Sequence, residues 1–407
     1  MNHIERMLEE LAPKGVEHLP LGAVGTFTRG NGLQKKDLRN EGVPAIHYGQ
    51  IYTHYGVSAR VTKDYVSQEV MSKATLARPG DVIIADTSEN DEDLGRSVAW
   101  IGPQEVAVSN HTIIVTPVAL DPVYLSYFMR SEGFQRQKRK LVFGTKVRSI
   151  SLESAKKIEI PVPPFAVQQE IVRILDKFTR LEAELEAELE ARRQQYSACL
   201  GLLFKSLPEG SFSWSTLGGV CTKVTSGGTP SSRRKEFYGG GIPWLRTQEV
   251  QFTRVSATRE TISELGLENS SAHWIPQHCV IVAMYGATAA KAAINLIPLT
   301  TNQACCNLQV DPNVCDFEYV YYWITSQYPQ LKSWGEGSQN NLNARKIKSF
   351  PIPVPSLGVQ RTIAGELEKF DTLVSDMSVG LPAELAARRK QYEYYRDKLL
   401  TFKEKAA

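Results

Sequence analysis

At 407 residues the chain exceeds one ordinary core, and about 150 residues per domain points to two or three domains. With 42% hydrophobic and 22% charged residues the composition is that of a globular chain, which excludes disorder, and a net charge of +3 is too mild to announce nucleic acid by itself. The opening MNHIERMLEELAPKG has no apolar signal core, and no run approaches the roughly 18 apolar residues of a membrane span, so the expected compartment is cytoplasmic, without membrane contact.

Residues 1–155 read as a first globular domain with an N-terminal helix. Short β-branched runs, VIIA (82–85) and HTIIVTPV (111–118), indicate strands, and VYLSYFMRSEGFQRQKR (123–139) reads as one helix. Residues 156–207 form a spacer whose helix runs from Phe165 to Lys205, about 40 residues or roughly 60 Å. In it Ile171, Leu175, Phe178, Leu185, Leu189 and Tyr196 keep the spacings of three, four or seven that a coiled-coil seam requires. Residues 208–350 repeat the mixed pattern, with strands at VIVAMY (280–285) and NLQV (307–310) and one helix over 318–334. Residues 351–407 supply a second spacer helix on Ile363, Leu367, Phe370, Leu373, Met377, Leu385, Tyr392, Tyr395 and Leu399, with a kink or restart expected at Gly380 and Pro382. Neither stripe can be buried alone, so the two helices are expected to pack on each other. The fold class is α/β (α+β), with two similar domains of curved sheets.

An internal repeat organises the whole. IPVPPFAVQQEIVRILDKF (160–178) matches IPVPSLGVQRTIAGELEKF (352–370) at ten of nineteen positions, where unrelated sequence would give about one. ELEARRQQY (188–196) matches ELAARRKQY (384–392) at seven of nine, with the offset grown from 192 to 196, an insertion of about one helical turn. Fainter pairs extend upstream: GVPAIHYGQI (42–51) with GIPWLRTQEV (241–250), and PGDVIIA (79–85) with PQHCVIVA (276–283). GVEHLPLG (15–22) also resembles GSFSWSTLG (210–218), so the repeat is nearly circular.

These twin blocks, the twin RR-x-QY helix ends and the phrases SGGTPS (226–231), MYGATAAK (284–291), TNQACCNL (301–308) and GSQNNLN (337–343) resemble the specificity subunit of a type I restriction-modification system over essentially the full length. The resemblance implies two target-recognition domains, each reading one half of a split, asymmetric site in double-stranded DNA, separated by two long antiparallel helices. It also implies docking of two adenine-methyltransferase subunits and, through them, of nuclease/translocase subunits. Two similar domains would match the pseudo-dyad of a DNA duplex.

Catalysis by the chain itself is not expected. The Asn/Asp-Pro-Pro-aromatic motif of amino-methyltransferases is absent, because Pro163-Pro164-Phe165 follows Val162, and no phosphate-binding glycine loop occurs. The six cysteines form no C-x-x-C pair, and His273, His278 and Cys279 lack a second ligand cluster, so neither metal nor cofactor is expected.

Candidate DNA contacts lie in loops where basic, amide and small residues interrupt the strands. In the first domain they are Arg29, Asn31, Lys35, Lys36, His47, Tyr48, Gln50, Arg96, Asn110, His111, Lys138, Arg139, Lys146 and Arg148, the last four from a run over 133–152 with six basic residues and no acid. In the second they are Arg233, Arg234 and Lys235 for phosphate, then Trp244, Arg246, Gln248, Tyr285, Lys291, Asn302, Gln303, Gln339, Asn340, Asn341 and Arg345. Asn and Gln can pair bidentately with adenine and Arg with guanine, while Lys mainly fixes register on phosphate. The loop DTSENDED (86–93) carries five acids and is expected to face solvent or a partner rather than phosphate.

Ile171, Leu175, Phe178, Leu185, Leu189, Tyr196, Ile363, Leu367, Phe370 and Tyr392 are the expected partner-docking positions of the helices. The ladder Leu181-Glu-Ala-Glu, Leu185-Glu-Ala-Glu, Leu189-Glu-Ala-Arg is a good helix former and also a candidate ruler for the gap between half-sites. The rival reading is a coiled-coil scaffold with protein- or carbohydrate-binding domains, which gives no reason for duplicated domains with divergent loops. A self-sufficient methyltransferase is disfavoured by the missing motifs.

Overall fold

The computed structural model describes residues 2–336, 341–375 and 379–405, arranged as two compact units: Met1–Leu185 with Leu385–Ala407, and Glu186–Glu384. The spacer helices are divided between the two units. The helix Phe165–Lys205 gives its first half to one unit and its second half to the other, because its apolar stripe enters both cores. In unit 1, Ile171 and Leu175 pack with Tyr124, Leu125 and Ile160, and with Leu399 and Leu400 from the distant segment. In unit 2, Leu200 and Phe204 pack with Tyr319, Ile363 and Leu367.

Within unit 1 the helix pair is antiparallel, since Glu182 meets Arg389 at 2.7 Å while Phe178 meets Tyr392 and Tyr395. The second helix region is interrupted where glycine and proline predict it: one helix spans Leu357–Ser375 and the next Leu381–Leu399. Met377 lies outside the described residues. The stretches read as single helices are each split in two. Ser131 caps the start of Glu132–Arg139 after Pro122–Phe128 ends. Pro329 sits in the first turn of Tyr328–Ser333, just after Phe317–Ser326.

Each unit holds a five-stranded sheet of one topology. In unit 1 the strand order is Gly25–Arg29, Thr112–Pro117, Val82–Ala85, Ser97–Trp100, Ser58–Ala59. In unit 2 it is Cys221–Ser226, Cys305–Val310, Val280–Ala283, Ala292–Asn295, Thr253–Val255. The first three pairings are antiparallel and the last parallel in both. A second, smaller sheet accompanies each: four strands in unit 1 and three in unit 2.

The IPVP blocks close the domains. Glu159–Val162 pairs with Glu17–Pro20, and Pro351–Pro355 with Phe212–Thr216, as two-stranded ribbons that tolerate prolines at their edges. The glutamine of each V-Q pair then clamps domain to helix. Gln168 is fully buried; its Oε1 accepts from Asp121 N at 2.7 Å, and its Nε2 donates to the Ala119 and Pro163 carbonyls at 3.1 and 2.8 Å. Gln360 repeats this with Asp316 N at 2.8 Å and the Val314 and Pro355 carbonyls at 3.2 and 2.8 Å. The aspartates so held cap the domain helices, and the buried Tyr124 and Tyr319 hydroxyls donate to the carbonyls of Pro161 and Pro353.

The near-circular repeat has a structural counterpart. Glu186–Lys205 runs directly on into the strand at Phe212, whereas in unit 1 the matching helix, Leu385–Leu399, comes from far along the chain. Its continuation docks beside the start of the first strand, where Val16 N donates to Lys403 O and Lys405 N to Val16 O, both at 3.0 Å.

Leu in place of Gln168 or Gln360 leaves one buried N–H and two carbonyls without partners, so each variant is expected to lose about 2–4 kcal/mol of stability, read by denaturant or thermal unfolding. An unchanged midpoint would show the clamp to be dispensable.

Candidate nucleic-acid interface

The alternation of strand directions brings many of the candidate residues to one edge of each five-stranded sheet. In unit 1, Arg29 ends one strand, His111 precedes the next, Asp86 follows the third and Arg96 precedes the fourth. Arg148 joins them, because Arg148–Ser149 pairs with Thr87–Ser88. In unit 2 the same edge carries the loop after Ser226, with Asn302 and Gln303, Tyr285, and Lys291.

On unit 1, Arg29, Asn31, Lys35, Lys36, His111, Arg139 and Lys146 are exposed, while Tyr48, Arg96, Asn110 and Arg148 are half-buried. Arg139 pairs with Glu132 and Arg148 with Asp91, each at 3.5 Å. The ring of Tyr48 lies between those of His47 and His111, with centroids 4.5 and 5.4 Å away. Burial, then Lys35 and His111, lowers the pKa of His47, whose Nδ1 accepts from Gly49 N and caps the short helix Tyr48–Thr53.

On unit 2, Arg233, Arg234, Lys235, Gln248, Tyr285, Gln303 and Arg345 are exposed. Arg234 pairs with Glu236 at 2.7 Å and lies over the Phe237 ring. Half-buried Lys291 reaches Gln251 at 3.3 Å, and half-buried Asn302 accepts from the Cys305 thiol at 3.2 Å. Half-buried Asn341 exchanges backbone hydrogen bonds with Glu336, and its Oδ1 has no hydrogen-bond partner among the described residues. Gln339 and Asn340 lie outside the described residues.

Several expectations need correction. Lys138, read as part of a basic surface, has no exposed area; its ammonium donates to the carbonyls of Leu94, at 2.8 Å, and Asp91. Burial pushes its pKa down to about 8, with Asp91 opposing. Lys138 is thus the internal anchor of the acidic loop. Gln50 is buried, with its amide on Asp64 and the N-terminus of its own helix. Trp244 is buried as well, donating to Gly228 O at 3.0 Å. Arg246 is half-buried and paired with Glu260. The acidic loop also divides: Glu89, Asp91 and Glu92 face solvent, whereas Asp86 is buried, a functional candidate that counting acids could not reveal.

The helix stripe is corrected in the same way. Ile171, Leu175, Leu189, Ile363 and Leu367 are buried, so internal packing takes them up, whereas Phe178, Leu185, Tyr196, Phe370 and Tyr392 are half-buried. The apolar side chains left exposed on these helices include Leu181, Leu202 and Tyr394.

Burial also pushes the thiols of Cys279 and Cys306 up to about 12, which makes them poor nucleophiles and ligands. Among the described residues no group of three His, Cys, Asp or Glu could hold a metal ion, and no helix is long and apolar enough to cross a membrane.

Two domains whose five-stranded sheets share one topology, each clamped through a buried glutamine to a long helix and each gathering polar loops at one sheet edge, define a duplicated two-domain protein. The family described as "Type I restriction modification DNA specificity domain" matches residues 13–191 and 211–387, and the chain belongs to it. The specificity subunit of the type I restriction enzyme EcoR124I/EcoR124II from Escherichia coli is 39% identical over 266 residues, which cover 62% of this chain and 65% of that one. A chain from a structure of a type I restriction-modification system superposes with a TM-score of 0.62 at 18% identity, covering 95% of this chain and 97% of its own. The type I S subunit from M. genitalium gives 0.56 at 14%, covering 95% and 96%. These two likenesses concern the fold.

Lys138→Met is expected to lower the melting temperature by several degrees, through two unpaired carbonyls, yet to leave the salt dependence of duplex binding unchanged. Arg233→Ala is expected to do the reverse, reducing the slope of log K against log salt by about 1. Binding titrations from 50 to 200 mM salt beside melting curves distinguish the two.

Proposed function

We propose that this chain reads a bipartite, asymmetric DNA site, one half with each unit, for two methyltransferase subunits that modify adenine, and through them for nuclease/translocase subunits. The observation that carries this reading is the pair of sheets with one topology and unlike side chains at the same edge. One frame presented twice suits a duplex, and unlike edges suit unequal half-sites. The exposed Leu181, Leu202 and Tyr394, beside charged faces of the helices, are the side chains we assign to partner docking, in place of the buried seam residues.

The chain assembled with its methyltransferase subunits should methylate adenine at one two-part motif, read by sequencing modified bases. Binding to duplex should weaken steeply with salt as counterions are released. A scaffold for proteins or carbohydrates would show neither result.

The Leu-Glu-Ala-Glu ladder is proposed to set the gap between half-sites. One added tetrapeptide lengthens the helix by about 6 Å, close to two base-pair rises of about 3.4 Å. Methylation mapped with the lengthened chain should show a motif with unchanged halves and a wider gap. A gap that stays the same would remove the ruler.

A further inference from the structure

At the edge of the unit 1 sheet a nearly buried carboxylate holds exposed side chains. The Asp86 side chain is 3% exposed, against 63% for Arg29 and 58% for His111. Arg29 Nη2 donates to Asp86 Oδ2 at 3.1 Å, and Thr87 Oγ1 donates to Oδ1 at 2.8 Å. His111 Nδ1 stands 3.9 Å from Oδ1, on a residue with φ of +63°. Thr87 Oγ1 is also 3.2 Å from Ser149 Oγ, which ties the cluster to the neighbouring ribbon.

A purely structural ion pair would have the same chemistry, and unit 2 tests that alternative. Strand register matches Asp86 with Met284, His111 with Ala304 and Arg29 with Ser226. The backbone frame is the same in both. Asp86 N donates to His111 O at 3.1 Å and Ile150 N to Asp86 O at 3.0 Å; Met284 N donates to Ala304 O and Leu342 N to Met284 O, both at 2.8 Å. The fold thus closes equally well around a methionine, with an alanine and a serine beside it. Where unit 2 does use an internal ion pair, Arg254 with Glu318, both partners are mostly buried and bonded through both oxygens. Arg29 is the opposite case: a single nitrogen is bonded to Asp86, and the side chain is mostly exposed.

That geometry suits a reading head. A guanidinium can offer two parallel N–H donors to O6 and N7 of guanine in the major groove, and a carboxylate bonded to one of its nitrogens narrows the positions of the fork before DNA arrives. We infer that Arg29, oriented by Asp86, reads a guanine in the half-site contacted by unit 1. Arg29 is the contacting residue and Asp86 the positioning residue. This rests on the reading of the chain as a DNA specificity subunit.

The test maps methylated adenines for the whole complex of this chain with its methyltransferase subunits, carrying the unchanged chain, Arg29→Ala, Asp86→Asn or Asp86→Met. Met is the residue unit 2 accommodates at the matched position, so that variant keeps a fold-compatible side chain if Asn is not tolerated. The unchanged complex must give a two-part motif; if it gives none, the proposed function itself fails. Given that motif, Arg29→Ala and the Asp86 variants should lose preference at one and the same G·C position in one half, with discrimination falling roughly ten- to a hundredfold and the other half untouched. Arg29→Ala with both halves intact would overturn the inference. So would a change confined to a position that is not G·C, or full discrimination in both Asp86 variants where Arg29→Ala has lost it.

Discussion

Gln168 and Gln360 are the constraint on which the rest of each unit depends. A buried primary amide must satisfy two donors and an acceptor, and the partners available fix three segments at once. Its oxygen holds the backbone of the aspartate that starts a domain helix, and its nitrogen holds the carbonyl of the last IPVP residue and the end of the loop before that aspartate. The prolines of the block serve the same end. They donate nothing to a ladder, which confines the strand to a two-stranded ribbon, and their carbonyls remain for the tyrosine and glutamine side chains. The geometry passed from long helix to sheet is thus set by hydrogen bonds of defined direction and not by apolar packing alone.

What this clamp holds constant, the sheet edges vary. The backbone bonds around Asp86 and Met284 superimpose in pattern, so an edge residue can change from acid to thioether without disturbing the ladder. Unit 1 spends its polar groups at that edge in the Arg29–Asp86–Thr87 cluster. Unit 2 places a bidentate internal pair, Arg254–Glu318, against the domain helix. A recognition surface can diverge in this way while the core that presents it stays fixed, because edge loops tolerate change that packed interiors do not.

The features legible in the sequence were those with local periodicity or duplication. The IPVP blocks, the helical stripe from Ile171 to Tyr196 and the break at Gly380 and Pro382 each depend on neighbours a few residues away. Lys138 shows the limit. In a run without acids it reads as surface cation, but the carbonyls of Asp91 and Leu94 that draw it inside lie more than forty residues upstream. Trp244 departs from its surface pattern for a related reason: its indole N–H finds Gly228 O across a loop, so an amphipathic side chain that could stack on a base is instead satisfied in the core. Asp86 was hidden in the opposite sense. Counted with four other acids it reads as repulsive to phosphate, and only the strand register that brings Arg29 beside it distinguishes it from them.

The division of the helices explains a last feature, the near-circular repeat. Unit 2 is continuous in sequence, whereas the core of unit 1 closes only when Leu399 and Leu400 join Ile4, Ile171 and Leu175. Closing so long a loop costs little more than closing a shorter one, since each doubling of length adds only about 0.6 kcal/mol. Two buried leucines, at about 1.5–3 kcal/mol each when removed from water, exceed that increment. The discontinuity is therefore thermodynamically mild, and its consequence is organisational. The same helix sequence that leads directly into the domain of unit 2 reaches the domain of unit 1 from the opposite direction of the chain, and backbone bonds between Val16 and Lys403–Lys405 stand where unit 2 has a covalent connection.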